Sequence, residues 1–260
     1  MKISILGSGS GGNATYIESE NGKILIDAGF SCKKIEERLS IIQRDISDIN
    51  GILITHEHID HIQGAGIISR KYNVPIYITL ESFKAGESKL GKIAAENLRF
   101  IDNEKFIIND SLLVKPFDVM HDACRTVGYR IESQNGKVAA ISTDIGYVNN
   151  IVRENFKEVD IMVIESNYDY NMLMNCNYPW DLKARVKSRN GHLSNNEAAK
   201  FIKEMYNEKL KKVYLAHISK DSNNPDIVRD TIAQELRESR IRLEYELAKQ
   251  DSGCRAAAAF

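Results

Sequence analysis

The chain has 260 residues, of which 43% are hydrophobic, so it can bury the core of one large domain or two small ones. Its 35 basic and 36 acidic side chains give a formal charge of −1, so a nucleic acid or an anionic membrane would have to be bound by a local patch. Four scattered cysteines and the lack of an apolar run of membrane-spanning or signal-peptide length predict a cytoplasmic protein without a disulfide framework.

Short β-branched runs predict strands along most of the chain, in the order Lys2–Leu6, Thr15–Glu18, Ile24–Asp27, Gly51–Thr55, Pro75–Thr79, Leu112–Asp118, Thr126–Glu132, Val138–Ser142, Ile161–Glu165 and Val213–Ala216. Apolar residues at helical spacing predict helices at Cys32–Leu39, Ile62–Lys71, Asn195–Asn207 and Asp226–Glu238. Ser194, followed three residues later by Glu197, predicts a capping box at the start of the third helix.

The order of these elements predicts the fold class. Strands joined by turns dominate the first two thirds, and helices are interspersed among them rather than strictly alternating with them. This pattern favours an α/β fold, an αββα sandwich of two mostly antiparallel or mixed sheets flanked by helices. No repeat or flexible linker interrupts the sequence, so residues 1–255 are expected to form one domain, with 256–260 as a short tail.

A glycine-rich loop, Gly7-Ser-Gly-Ser-Gly-Gly12, follows the first predicted strand and matches the Gly-x-Gly-x-x-Gly pattern of dinucleotide-binding proteins. That pattern binds a pyrophosphate at the N-terminus of the helix that comes next. Here the loop is followed by another predicted strand that begins at Thr15. We therefore predict no nucleotide cofactor.

Three of the six histidines lie within the loop Thr-His-Glu-His-Ile-Asp-His, residues 55–61, directly after a predicted strand. In extended backbone, residues two apart point the same way, so His56 and His58 can act together while Asp60 and His61 turn toward a neighbouring point. Imidazole and carboxylate groups without thiolate suit Zn, Mn or Fe. The alternative interpretation is a polar surface loop.

Three single residues, His121, Asp144 and His217, also come just after predicted strands. At these positions each residue could be a ligand in the same metal site as the 55–61 loop. Each one alone has an alternative: a histidine there can be an ordinary surface or core group, and an aspartate can cap a turn.

The combined pattern resembles the metallo-β-lactamase superfamily. The resemblance rests on His-x-His-x-Asp-His at 56–61, Leu-Ile-Asp-Ala-Gly at 25–29, the isolated histidine at 121, Ser-Thr-Asp-Ile-Gly at 142–146 and Leu-Ala-His at 215–217. It implies two metal ions, one bound by His56, His58 and His121 and the other by Asp60, His61 and His217. It also implies that Asp144 bridges both ions and that Asp27 orients a ligand without binding metal.

The segment Gly-His-Leu-Ser at 191–194 resembles the His-x-Ser segment of transfer-RNA 3′-processing nucleases. That resemblance implies that His192, paired with the acidic Glu165, protonates the departing oxygen. A sugar alkoxide is a poor leaving group, so such a general acid has a chemical purpose in a nuclease. The alternative is that His192 only stands at the start of a helix.

The superfamily resemblance also places the first glycine loop beside the metal cleft, where we expect Ser8, Ser10 and Asn13 to contact a substrate phosphate.

Four cations occupy alternate positions before this segment, at Lys183, Arg185, Lys187 and Arg189. In extended backbone they would form one row facing a phosphate backbone, and Tyr178 and Trp180 could stack on an exposed base. In a helix the same charges would spread around a solvated face. Both interpretations stay open at this point.

The glycine loop together with Glu-Ser-Asn-Tyr-Asp at 165–169, Gly-His-Leu-Ser at 191–194 and Ala-His-Ile-Ser-Lys-Asp-Ser-Asn-Asn-Pro at 216–225 is similar to the YycJ/WalJ branch of the superfamily. This resemblance implies a bacterial, cytoplasmic exonuclease that digests DNA from the 5′ end. The hypothesis is a phosphodiesterase with two divalent metal ions (Zn, Mn or Fe) and a hydroxide between them, in which Asp60, Glu165 and His192 are catalytic. The alternatives are a small-molecule metallohydrolase, acting on a cyclic phosphate, thioester or lactam, and a binding module without activity.

Overall fold

The structure is a computed structural model that describes residues 1–250, so the predicted tail at 256–260 lies outside the described residues. The strands are β1 (Lys2–Gly7), β2 (Ala14–Ser19), β3 (Gly22–Ile26), β4 (Gly51–Leu53), β5 (Ile76–Ile78), β6 (Leu98–Phe100), β7 (Phe106–Ile108), β8 (Leu112–Val119), β9 (Thr126–Ser133), β10 (Val138–Ser142), β11 (Ile161–Glu165), β12 (Lys212–Ala216) and β13 (Glu244–Leu247). The α-helices are α1 (Cys32–Ile41), α2 (Ile59–Ile62), α3 (Ala65–Tyr72), α4 (Leu80–Leu90), α5 (Asn150–Phe156), α6 (Tyr170–Asn175), α7 (Trp180–Val186), α8 (Asn195–Met205) and α9 (Pro225–Glu238). Over the described part of the chain, every helix is too short or too polar to cross a bilayer.

The strands form two mixed sheets, with the orders β1-β2-β3-β4-β5-β6 and β13-β12-β11-β10-β9-β8-β7. In the first sheet β1 to β3 pair antiparallel and β3 to β6 pair parallel. In the second sheet β7 to β10 pair antiparallel and β10 to β13 pair parallel. The predicted sandwich of two sheets flanked by helices is confirmed, and its sheets are mixed rather than mostly antiparallel.

Alternating side chains on each sheet divide the core into layers. Ile24 and Ile26 of β3 pack into a cluster that also contains Ile141 of the second sheet, so this cluster lies between the sheets. Leu25 points the other way, into a cluster with α1 and α3. Ala140 likewise packs with α5, α8 and α9 on the outer face of the second sheet. The two-residue repeat of the strands therefore produces four layers: helices, sheet, sheet, helices.

Several elements differ from the sequence prediction. The predicted helix Ile62–Lys71 is two helices, α2 and α3, separated at 63–64. The sequence analysis did not predict β6, β7 or β13, because β6 and β7 have three residues each and β13 is partly exposed. It also missed α4 to α6 and left a helix at α7 open as one of two interpretations; α5 to α7 have six or seven residues each. Such short segments carry too few residues for a clear apolar period.

The capping box at the start of α8 is confirmed. The backbone N–H of Glu197 donates to Ser194 Oγ, and the backbone N–H of Ser194 donates to Glu197 Oε2 at 3.0 Å. Two N–H groups that a helix terminus leaves without intrahelical partners are thereby satisfied.

We expect Ser194→Ala to lower the free energy of unfolding by about 1 kcal/mol, because it leaves the N–H of Glu197 without its acceptor. Urea denaturation followed by circular dichroism measures the change. Lys200→Ala, on the exposed face of the same helix, is the control and should stay within about 0.5 kcal/mol of the wild type. Equal stability of Ser194→Ala and the wild type would contradict the role of the cap.

Candidate metal centre

The ends of parallel strands in both sheets deliver most of the predicted site residues. Asp27 follows β3, the 55–61 loop comes after β4, Asp144 follows β10 and His217 follows β12. The carboxyl ends of adjacent parallel strands meet at one edge of a sheet, which is where such sites form. Asp27, Asp144 and His217 have φ angles of 60°, 54° and 52°, a left-handed conformation that is uncommon outside glycine. The backbone turns sharply at each of these residues as its strand ends.

The first group of predicted ligands is His56, His58 and His121. Their nearest ring nitrogens all lie within 4.8 Å of one another. His56 Nε2 is 2.9 Å from His58 Nδ1, and the His121 ring centroid is 5.0 Å from that of His56. The loop and a residue more than sixty positions away therefore present three imidazole nitrogens to one point.

The second group is Asp60, His61 and His217, whose candidate ligand atoms also lie within 4.8 Å of one another. Asp60 Oδ2 is 3.6 Å from His61 Nε2 and 3.9 Å from His217 Nε2. The loop thus contributes to both groups, as the sequence analysis predicted.

Asp144 lies between the two groups. Its carboxylate is 3.1 Å from His61 Nε2, 3.5 Å from His217 Nε2 and 3.8 Å from His121 Nε2. Burial disfavours the ionised carboxylate, but His217 and His61 outweigh it and hold the pKa of Asp144 well below its ordinary value. A buried anion at this position is placed to contact both groups.

The donor set fits divalent metal ions. Within residues 1–250, the buried His217 Nε2 has no hydrogen-bond partner. Leaving a buried polar atom without a partner costs about 1–3 kcal/mol of stability. A metal ion would satisfy this nitrogen. Neutral imidazoles with carboxylates and no thiolate are the ligands that Zn, Mn and Fe accept in catalytic sites.

The Asp27 carboxylate orients the imidazole of His61. Its Oδ2 accepts a hydrogen bond from His61 Nδ1 at 2.7 Å, and its Oδ1 accepts from the backbone N–H of Thr55 at 2.8 Å. Burial raises the pKa of Asp27, against the opposing effect of His61. With the proton held on Nδ1, His61 presents Nε2 to the cleft. The Thr55 hydroxyl, which the sequence analysis missed, is 3.0 Å from His56 Nδ1 and touches the same carboxylate.

The Glu165 carboxylate accepts hydrogen bonds from two histidines. Its Oε1 accepts from His192 Nδ1 at 2.8 Å and from His217 Nδ1 at 2.7 Å, while Oε2 accepts from the backbone N–H groups of Ile145 and Leu193. Burial opposes ionisation, but the two histidines, His192 foremost, lower the pKa of Glu165 to about 2. An ionised carboxylate only accepts, so both Nδ1 atoms carry hydrogen and both Nε2 atoms face the cleft. The sequence indicated the pairing with His192 but not the second one.

His192 lies at the mouth of the cleft. Its ring centroid is 5.4 Å from that of His121 and 5.2 Å from that of His217. Burial opposes its protonation, but the charge of Glu165 outweighs it and raises the pKa of His192 above its ordinary value. His192 and Ser10 both line a cavity of about 200 Å³. The imidazole is thus accessible and biased toward its protonated form.

Three side chains of the glycine loop were predicted to contact the substrate, and two of them have a different environment in the structure. Ser8 and Asn13 are buried, which contradicts their predicted contact with substrate. Ser8 Oγ accepts from the backbone N–H of His217 at 2.9 Å, and Asn13 Nδ2 lies 3.0 Å from His61 Nε2. Their hydrogen bonds hold the loop against the predicted ligands. Only Ser10 of the three is exposed, beside the cavity.

Of the two interpretations of the cation segment, the helical one is confirmed and the extended row is not formed, because α7 is helical up to Val186. Lys183 is buried and its Nζ donates to the backbone oxygen of Met174 at 2.8 Å, so it is not available to a phosphate. Arg185 pairs with Asp122, next to His121. Lys187 and Arg189 lie beyond the helix, and each stands over an aromatic ring.

In the last motif that the sequence analysis singled out, residues 216–225, Asn223 has a structural role. Asn223 is buried and its Nδ2 donates to the backbone oxygens of Ser166 and Asn167 at 3.0 and 2.9 Å. It therefore supports the turn after Glu165 rather than a substrate. Tyr178, predicted to stack on a base, donates its hydroxyl to Asp221 at 2.9 Å.

Comparison with known proteins adds two kinds of finding. The family described as the Beta-lactamase superfamily domain matches residues 23–218. The chain is 37% identical to exodeoxyribonuclease YycJ of Bacillus anthracis over 92% of this chain and 90% of that protein. It is 35% identical to exodeoxyribonuclease WalJ of Streptococcus pneumoniae over 97% of this chain and 94% of that protein.

Among solved structures, the metallo-β-lactamase fold protein YhfI of Bacillus subtilis matches with a TM-score of 0.70 and 15% identity over 98% of both chains. Zinc-bound PqqB of Methylobacterium extorquens matches with a TM-score of 0.70 and 18% identity over 98% of this chain and 99% of that one. At such identities the likeness shows the fold.

We expect Glu165→Gln to weaken the affinity for Zn²⁺ about 10- to 100-fold, because the amide no longer supplies the charge that supports the His217 imidazole. Competition with a chromophoric chelator measures the affinity. Glu204→Gln, a surface glutamate paired with Arg153, is the matched control and should bind like the wild type. Unchanged affinity in Glu165→Gln would contradict the orienting role of this carboxylate.

Proposed function

Because this chain belongs to the metallo-β-lactamase superfamily, we propose that it is a DNA exonuclease, a phosphodiesterase that depends on two divalent metal ions. The observation that carries the proposal is the combination of seven converging nitrogen and oxygen donors with a protonatable histidine at the cleft mouth. The names of the two curated relatives, both exodeoxyribonucleases, support DNA as the substrate.

In this proposal His56, His58 and His121 would hold one metal ion, and Asp60, His61 and His217 would hold the second. Asp144, which lies between the two groups, would contribute to both. The ions are Zn, Mn or Fe, since every donor is nitrogen or oxygen. When bound, the pair supplies Lewis-acid activation of the phosphodiester and of the attacking water. The partly exposed Asp60 would act from the second group as a catalytic carboxylate as well as a ligand.

His192 acts as the general acid. Its Nδ1–H is held by Glu165, so its Nε2–H faces the cleft when the ring is protonated. The raised pKa favours the protonated ring, and transfer of its proton to the leaving sugar oxygen avoids release of a free alkoxide. Glu165 remains ionised and compensates the charge of the imidazolium.

We propose digestion from the 5′ end and a cytoplasmic location, which is where bacteria such as the two relatives keep their DNA. Ser10, which lines the cavity beside His192, is the glycine-loop residue we propose to contact a phosphate. Of the predicted cations, Lys187 and Arg189 remain candidates for substrate binding.

The function is tested with 5′-labelled and 3′-labelled oligonucleotides, single-stranded and duplex, DNA and RNA, beside a β-lactam and a thioester. We expect the 5′ label of DNA to appear first as a mononucleotide, while the 3′ label gives a ladder of shortening products. A chelator should abolish both. Faster hydrolysis of the β-lactam or the thioester than of DNA would contradict the proposal.

His192→Gln should slow DNA cleavage about 10²- to 10⁴-fold with both metal ions still bound, because the leaving oxygen loses its proton donor. Thymidine 5′-(p-nitrophenyl phosphate) is the comparison substrate, since p-nitrophenolate leaves without a proton. The variant should lose much less activity on it. An equal loss on both substrates would remove the proton-donor assignment.

A further inference from the structure

Exposed apolar side chains stand on the segments that carry three of the candidate ligands. Ile59 stands within the 55–61 loop, Met120 directly precedes His121, and Tyr147 comes three residues after Asp144. They are 51%, 43% and 40% exposed. Met120 and Tyr147 are joined by an isolated β-bridge, so they form one continuous patch. An apolar rim around a polar centre indicates a surface that a ligand covers.

A cation covers one side of this patch. The Arg189 guanidinium lies 4.2 Å from the centre of the Tyr147 ring. The backbones that carry the pair are closely packed, because a Cβ at Gly146 would lie only 2.4 Å from the backbone oxygen of Arg189. The tyrosine and the arginine are therefore held together by the fold and not only by their side chains.

A second cation–aromatic pair lies nearer the start of the segment 180–189. Lys187 Nζ lies 5.2 Å from the centre of the Trp180 ring, and Trp180 is 64% exposed with the cation in place. The helix that carries Trp180 is anchored from its inner side, where Lys183 is buried and donates to the backbone oxygen of Met174. Trp180 is thus an aromatic ring that faces solvent from the first residue of an anchored helix.

The backbone between the two pairs lies against the candidate centre. The N–H of His192 donates to the backbone oxygen of Val186 at 2.8 Å, and His121 Nδ1 donates to the backbone oxygen of Gly191 at 3.1 Å. Arg185 adds an ion pair with Asp122, beside His121. Both cation–aromatic pairs are thereby fixed to the side of the cleft that holds the proposed general acid.

We propose that these two pairs, Tyr147 with Arg189 and Trp180 with Lys187, bind an extended single-stranded DNA segment. This inference rests on the proposed function and specifies its substrate. Bases stack on the two rings and the adjacent phosphates face the two cations, a combination that tolerates any sequence because every base has an aromatic face. A duplex cannot use these rings, since its bases are already stacked on one another.

The chain offers a direct probe, because Trp180 is its one tryptophan. The wild-type protein with metal bound is titrated with a ten-nucleotide oligothymidylate that has phosphorothioate linkages, and tryptophan fluorescence is recorded. We expect saturable quenching. An abasic oligomer of the same length and charge should quench little. Equal quenching by both oligomers, or none by either, would overturn the stacking assignment at Trp180.

The contribution of each ring is measured by cleavage of single-stranded DNA. Tyr147→Ala and Trp180→Ala should each raise KM about tenfold, with a smaller effect on kcat, whereas Tyr147→Phe and Trp180→Phe should restore most of the loss. Phe100→Ala, an exposed aromatic residue on β6 that belongs to neither pair, is the control and should behave as the wild type. An unchanged KM in both alanine variants would overturn the proposal.

The cations are tested separately by the dependence of binding on salt. Lys187→Ala and Arg189→Ala should each reduce the slope of log affinity against log salt concentration by about 0.7, the value for one lost phosphate contact on a single strand. An unchanged slope in both variants would contradict phosphate binding by these residues.

Failure of this inference is distinguishable from failure of the proposed function. Bis(p-nitrophenyl) phosphate carries no base, so its hydrolysis by the wild-type protein tests the phosphodiesterase chemistry alone. If it is cleaved while the fluorescence and KM results are negative, the inference fails and the function stands. If neither this substrate nor DNA is cleaved, the function fails, and the fluorescence titration still decides whether single-stranded DNA binds.

Discussion

Two buried carboxylates, Asp27 and Glu165, orient the candidate centre by accepting hydrogen bonds from the Nδ1 atoms of three histidines. Each hydrogen bond fixes the tautomer of the ring and turns its Nε2 toward the cleft. Without these acceptors the imidazoles could rotate, or protonate on the wrong nitrogen. The positions of His61, His192 and His217 therefore depend on two residues that stand behind them.

The placement of Glu165 explains why metal binding and proton donation are linked in this account. One carboxylate oxygen holds a predicted metal ligand and the proposed general acid at the same time, and the other oxygen is held by two backbone N–H groups. A carboxylate fixed by four hydrogen bonds has little freedom to move, so the distance between the two imidazoles is set by the fold. The ring centroids of His192 and His217 are 5.2 Å apart.

Much of this arrangement could be predicted from the sequence, because strand periodicity and the His-x-His-x-Asp-His loop are local patterns. The shared role of Glu165 could not be predicted in the same way. It depends on the parallel pairing of β10, β11 and β12, which brings residues 144, 165 and 217 to one edge. The predictions for Ser8, Asn13 and Lys183 were wrong for a related reason. A sequence shows a polar side chain, but not whether the fold has already satisfied its hydrogen bonds.

The central claim is that seven side chains bind two metal ions in one cleft. Anomalous diffraction at the absorption edge of the metal, on crystals of the metal-loaded protein, tests it most directly. We predict two peaks about 3.5–4 Å apart, one beside His56, His58 and His121, the other beside Asp60, His61 and His217, with Asp144 between them. A single peak within the alternative cluster of Asp144, Glu165, His192 and His217, or no peak at all, would contradict the account.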